Sequence, residues 1–176
     1  MKMTANGSSK IKILTKTSTL WLMFTATLLI TFMFPMLANQ LGLTLIDAIA
    51  SPDQVRKILS DMTADQRSAH AWITGTLDVA YPLAYGFLFA GVALQFFPKA
   101  GPYLAILALL AIPVDLIEGV IQILALTETA DLLVLKTFVT PLKMALFLGG
   151  LLIALAGWAK WVYLRFNTGK EHESDA

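Results

Sequence analysis

The chain has no cysteine, which excludes disulfides, thiol nucleophiles, iron–sulfur clusters and thiolate metal sites. Histidine is almost as scarce, with only His70 and His172 in 176 residues. Neither falls deep inside an apolar run, where a buried haem or zinc would need it, so no metal or other cofactor is expected. Charge is sparse as well, at 14% of residues against 57% apolar ones; an ordinary soluble domain carries about 25% charged residues. The balance of 13 basic and 12 acidic side chains implies no nucleic-acid partner. No serine lies within 71–97, 102–126 or 132–158, and neither Gly-x-Ser-x-Gly nor a Cys-His pairing occurs. An intramembrane serine or cysteine hydrolase is therefore not expected.

Long apolar runs fill the chain instead, and mean hydropathy is +0.70. Residues 17–46, 79–98 and 144–159 carry no formal charge. Four spans follow, at about 18–43, 71–97, 102–126 and 132–158, each able to cross a hydrocarbon core of about 30 Å at about 1.5 Å per residue. The run Tyr103 to Ile112 shows none of the alternation a membrane barrel needs. The expected fold is all-α, a four-helix membrane domain over 18–158. It is flanked by an N-terminal segment at 1–17 and a tail at 159–176, with an outer loop at 44–70. The first apolar stretch is too long for a cleaved leader.

Basic residues set the expected orientation. Lys2, Lys10, Lys12, Lys16, Lys99, Lys160, Arg165 and Lys170 flank one side, and Arg56, Lys57 and Arg67 the other. This asymmetry places both termini in the cytoplasm. In the outer loop, Ser51-Pro52-Asp53-Gln54 reads as an N-cap with a first-turn proline, and Val55, Ile58, Leu59 and Met62 recur at helical spacing. A short amphipathic helix is expected there, as an interfacial anchor rather than a lid. Thr63 with Gln66 caps the start of a further helix. His70 reads as an interfacial surface residue, and 167–176 as a solvated tail.

Charged and polar residues inside the spans are costly, at about 2.5–3.5 kcal/mol each on the lenient scale. They form one stripe per helix. Asp78, Tyr81 and Tyr85 follow Thr74 in the second span; Asp115, Glu118 and Gln122 occupy the third; Lys136, Thr140 and Lys143 occupy the fourth. Such stripes face one another inside a bundle. Depth counting pairs Lys143 with Asp115 and Lys136 with Asp78, leaving Glu118 as the surplus acid and the expected functional carboxyl. Pro35, Pro82, Pro113 and Pro141 place one proline in each span, which favours a cavity over a dry bundle. Gly86 with Ala90, and Gly150 with Ala154, read as close-packing pairs.

The order Gln66-Arg67, Asp78-Val79-Ala80-Tyr81-Pro82-Leu83-Ala84-Tyr85, Asp115-Leu116-Ile117-Glu118-Gly119, then Thr140 and Lys143, resembles a group of small bacterial four-helix membrane proteins with no assigned activity. The resemblance covers about 50–150 and implies a bacterial inner-membrane location. In that group the third-span motif usually reads Asp-x-x-Glu-Asn, and Gly119 departs from it. The layout is more distantly similar to the sterol-isomerase and sigma-2-receptor superfamily, which binds apolar amines and sterols between acidic helices.

Three functions fit these observations. The leading one is an outer-facing polar cavity that binds a small hydrophobic or cationic molecule, or a lipid, as carrier, receptor or enzyme. The second is a structural or assembly protein whose ion pairs only fix helix register, with a homo-oligomer or another membrane protein as partner. The third is a proton-coupled transporter acting as a dimer. The orientation is testable by itself: reporter fusions after residue 100 and residue 129 should report cytoplasm and exterior respectively, and the opposite pattern refutes it.

Overall fold

A computed structural model describes residues 13–171, with side chains as far as Phe166. It contains helices α1 (Thr17–Leu41), α2 (Pro52–Asp61), α3 (Ala64–Phe96), α4 (Gly101–Leu126) and α5 (Lys136–Glu171), with a 3-10 turn at Leu133–Leu135 before α5. No strand occurs among the described residues. The stretches Thr17–Leu41, Ala64–Phe96, Gly101–Leu126 and Leu133–Phe166 are each long and apolar enough to cross a membrane. The protein is thus an all-α, multi-pass membrane bundle.

Local chemistry sets the helix limits. Gly42 ends α1 in the left-handed region at φ 61°, where glycine carries no Cβ penalty. The Ser51 hydroxyl accepts the Gln54 N–H at the start of α2. Thr63 and Gln66 form a complete capping box, and the Gln66 amide also donates to the Gly42 carbonyl at 2.9 Å. That bond ties the end of α1 to the start of α3. Because of this cap α3 begins at Ala64, seven residues before the expected span, and runs for 33 residues. The stretch expected as a solvated tail is helical to Glu171. Extending an established helix costs far less than nucleating one, and Trp158, Trp161 and Phe166 keep its surface apolar. Residues 172–176, His172 included, and the first twelve residues lie outside the described chain. All four span prolines lie inside helices.

Helix α3 is central, packing on α1, α4 and α5. Of its most apolar stretch 61% is buried, against 11% for α1, so α1 is a peripheral strap. Small residues let α3, α4 and α5 approach closely: Ala90, Ala93, Ala108, Ala111 and Ala154 are almost inaccessible. A Cβ on Gly86 would meet the Ile112 side chain at 2.6 Å, and one on Gly150 would collide with the Phe89 ring. The half of the bundle nearer the termini is a continuous apolar core.

At the opposite, loop-bearing end, α2 packs on protein rather than lying free as an anchor. Val55 and Leu59 are buried with Ile121, Leu126 and Leu133. Arg67 donates to the Leu59 carbonyl through Nε and Nη2 and pairs with Glu128. Arg56 bridges Asp53 and Asp131 at 2.9 Å. The Arg56 hydrogen bond holds the Asp131 carboxyl below its ordinary pKa, and Asp131 in turn raises that of Arg56. This clasp is therefore present above the usual carboxylate range and lost as pH falls through the depressed Asp131 value.

The tight turn into α4 gives a test. A Cβ on Gly101 would come within 2.6 Å of the Ala93 carbonyl oxygen, a backbone atom, whereas one on Gly149 would meet only Leu107 at 4.0 Å. Gly101→Ala should cost about 1–3 kcal/mol. Gly149→Ala should be neutral or slightly stabilising, since alanine is the better helix former. Thermal unfolding of both variants in detergent micelles should rank them in that order.

Candidate functional site

The three polar stripes meet in the loop-side half of the bundle. Glu118, Gln122 and Lys136 are fully inaccessible, and Asp78, Asp115, Thr140 and Lys143 are nearly so. Steps of three and four residues place each set on one helix face, and the turn at 127–135 brings α5 antiparallel to α4.

Glu118 is the hub. Its Oε1 accepts Lys136 Nζ at 2.5 Å and the Thr140 hydroxyl, and its Oε2 pairs with Lys143 Nζ. Lys143 also reaches Asp115 Oδ1 at 3.2 Å, and the Tyr85 hydroxyl donates to Asp115 Oδ2 at 2.8 Å. The expected Lys143–Asp115 pair is present. The other pairing is corrected: Lys136 goes to Glu118 rather than Asp78, so Glu118 is not the surplus acid. Lys136, Thr140 and Lys143 span two turns of one α5 face, and Glu118 on the facing helix lies between the lysines. Depth counting cannot separate carboxyls one turn apart on different helices.

Asp78 is the acid left over. It is 6% exposed and, among the described residues, makes neither an ion pair nor a hydrogen bond. Its Oδ2 lies 3.7 Å from where a Gly119 Cβ would stand, and Thr74 Cγ2 is equally near. Glycine at 119 thus leaves room for the Asp78 carboxyl, which a longer side chain would crowd.

Two residues were read differently or missed. His70 is 1% exposed rather than interfacial, because α3 starts early and carries the stripe 70, 74, 78 at four-residue steps. Its Nδ1 lies 3.3 Å from the Thr74 hydroxyl, and its Nε2 is buried without a partner. Asp47 was not singled out at all. The connection after α1 folds back so that Ile46 is fully buried, and Asp47 Oδ1 is buried and unpaired. The signal was present: Asp47 ends the long uncharged run and follows the spaced apolar pair Leu43 and Ile46. Gln122 lies one turn beyond Glu118, apart from the network, with both amide atoms buried and unpartnered.

A cavity of about 310 Å³ lies against Asp47, Asp78, Asp115 and Lys143 but is not lined by Glu118, Lys136, His70 or Gln122. Asp78, Tyr81 and Tyr85 of α3 line it, with Asp115 of α4 and Lys143, Met144 and Phe147 of α5. Phe34 of α1 and Leu45, Asp47 and Ala48 of the connection complete the wall. The Tyr81 hydroxyl lies within hydrogen-bond distance of the Thr31 hydroxyl, at 3.1 Å. Below Tyr85 the core turns apolar, with Leu88, Phe89, Val92 and Ala93 closing the terminal half. A wider groove of about 740 Å³ between Met62, Arg67, Trp72 and Glu128 lies on the surface, away from the carboxyls. Among the described residues no group of three His, Asp or Glu side chains is arranged to hold a metal ion.

Comparison with protein-family models, with curated proteins and with solved structures finds no match to this chain.

The hub assignment separates two variants. Glu118→Gln leaves two buried lysines without full compensation and should cost about 3–5 kcal/mol. Asp78→Asn removes no contact and should unfold within about 1 kcal/mol of the parent protein. Unfolding of both by denaturing detergent, followed by circular dichroism, decides between this order and its reverse.

Proposed function

We propose that this multi-pass membrane protein binds a small hydrophobic cation in the cavity at Asp78. The observation that carries the reading is Asp78 itself, a carboxyl more than nine-tenths buried, unpaired, and lining a cavity of about 310 Å³. Four carboxyls, those of Asp47, Asp78, Asp115 and Glu118, gather around two lysines. Glu118 and Asp115 use both lysines, so Asp47 and Asp78 supply negative charge that a cationic ligand would neutralise. Tyr81, Tyr85, Phe34 and Phe147 add aromatic walls suited to a cation with an apolar body. The volume falls at the lower end of small-ligand sites.

The flanking lysines and arginines support an orientation with both termini in the cytoplasm and the loop-side half of the bundle, with its cavity, toward the exterior. A bacterial inner membrane and membership of the small four-helix group follow from the motif order Asp78, Tyr81-Pro82, Tyr85, Asp115 and Glu118. In that reading the polar residues divide in two: Glu118, Lys136, Thr140 and Lys143 hold the helices, and Asp78 with Tyr81 and Asp47 meets the ligand.

Native mass spectrometry of protein released gently from its membrane tests this. The parent protein should carry a bound small molecule that Asp78→Asn loses, with both unfolding alike. Identical spectra for the two proteins would leave the polar cluster with a purely structural role.

A further inference from the structure

The cavity lies where two helices part. Near the terminal face α1 and α5 touch, with the Phe24 and Trp158 rings edge-on at 5.0 Å. At the level of Asp78 they do not. There Tyr81 of α3 stands between them, 5.8 Å from Phe34 on one side and 6.4 Å from Phe147 on the other. Helix α1 packs chiefly on α3 rather than on α5, so α1 and α5 flank α3 like the arms of a V with α3 as its floor. Phe24 and Trp158 meet at the terminal end of this floor, beside a second cavity of about 210 Å³, and the Asp78 cavity lies at the other end.

The faces along the V are apolar and only half covered. On α5, Phe147 and Leu151 are half-buried; on α1, Thr27 and Phe34 are too. The two threonines of this stretch present little polarity, because Thr27 donates back to the Met23 carbonyl and Thr31 to the Thr27 carbonyl, each at 2.8 Å. Ten residues separate Phe34 from Phe24, a seam of about 15 Å. Above the cavity the connection after α1 forms a roof, anchored by the inaccessible Ile46. The open route to Asp78 is therefore sideways, from the bilayer.

We infer that the occupant of the Asp78 cavity is a single-chain amphiphile with a primary ammonium head, admitted laterally between α1 and α5, its alkyl tail lying along the seam toward Trp158. This rests on the cation-binding reading above and adds the route, the tail and the head type. Asp78 and the unpaired Asp47 oxygen are acceptors only, so they ask for N–H donors; a quaternary ammonium has none. At cavity level a single ring, that of Tyr81, separates Phe34 from Phe147, which limits any passage there to one chain.

The test uses the full-length protein in nanodiscs with Trp72→Phe, so that the emitting indoles are Trp21, Trp158 and Trp161. The probes are dodecylamine, 12-bromododecylamine, hexylamine and dodecyltrimethylammonium. 12-Bromododecylamine should quench saturably, and Trp158→Phe should remove the quenching. Asp78→Asn should weaken dodecylamine binding at least tenfold, and Asp78→Glu should restore most of it. Hexylamine and the trimethylammonium probe should each bind at least tenfold more weakly than dodecylamine. Asp78-dependent binding without Trp158 quenching, or with hexylamine as tight as dodecylamine, overturns the seam but leaves the cation site standing. Equal affinity for the trimethylammonium probe overturns the head assignment. No Asp78-dependent binding of any probe defeats the cation-binding reading itself.

Discussion

One carboxylate, Glu118, holds the bundle in register. It is fully buried and receives two lysines and a threonine from α5. In a medium of low dielectric, charges that lose a partner are far more costly than charges never buried. The hub therefore works as a constraint more than as a source of stability. It fixes both the rotation of α5 and its height against α4, because Lys136 and Lys143 must reach the same carboxyl from two turns apart. Any sliding or twisting of α5 strands one of them.

The site follows from that constraint. With both lysines claimed by Glu118, and Lys143 shared with Asp115, no lysine pairs with Asp78 or Asp47, and the buried His70 is a basic group within the field of Asp47. The rest of the architecture keeps the imbalance from collapsing. Alanines and glycines draw α3, α4 and α5 into close contact in the terminal half, which leaves that half dry. In the loop half Gly119 withholds a side chain and α1 stands away from α5. Polar atoms consequently face a space rather than one another.

Much of this was legible from residue order, and the gaps have physical causes. Apolar run length gave the four spans, and steps of three and four residues gave the three inward stripes, since both depend only on helical periodicity. The caps at Ser51 and Thr63 were equally local. Partner choice was not, because Asp78, Asp115 and Glu118 lie within a few ångströms of depth, and only the relative rotation of the helices decides which carboxyl a lysine meets. The cap at Thr63 was read as a helix start, but His70 was misjudged because the stretch between that cap and the apolar run was taken as interfacial rather than as buried helix. Asp47 left a faint signal at the end of an uncharged run, but that its carboxyl turns inward depends on a connection folding back over the bundle, which no periodicity encodes. The helix runs on to Glu171, into the stretch from 167 whose polar composition reads as a solvated tail.

The order of the charges along the chain bears on how the protein comes into being. Asp47, Asp78, Asp115 and Glu118 all precede Lys136 and Lys143, so a ribosome delivers every acid before either counter-ion. Until α5 arrives, the partial bundle of α1, α3 and α4 carries carboxyls with no internal cation, and these must stay protonated, near water or beside the insertion machinery. Synthesis runs from the N-terminus, so α5, which leaves the ribosome after α4, brings the counter-ions for Asp115 and Glu118. A chain cut short before Lys136 is thus marked by its own unpaired acids as unfinished.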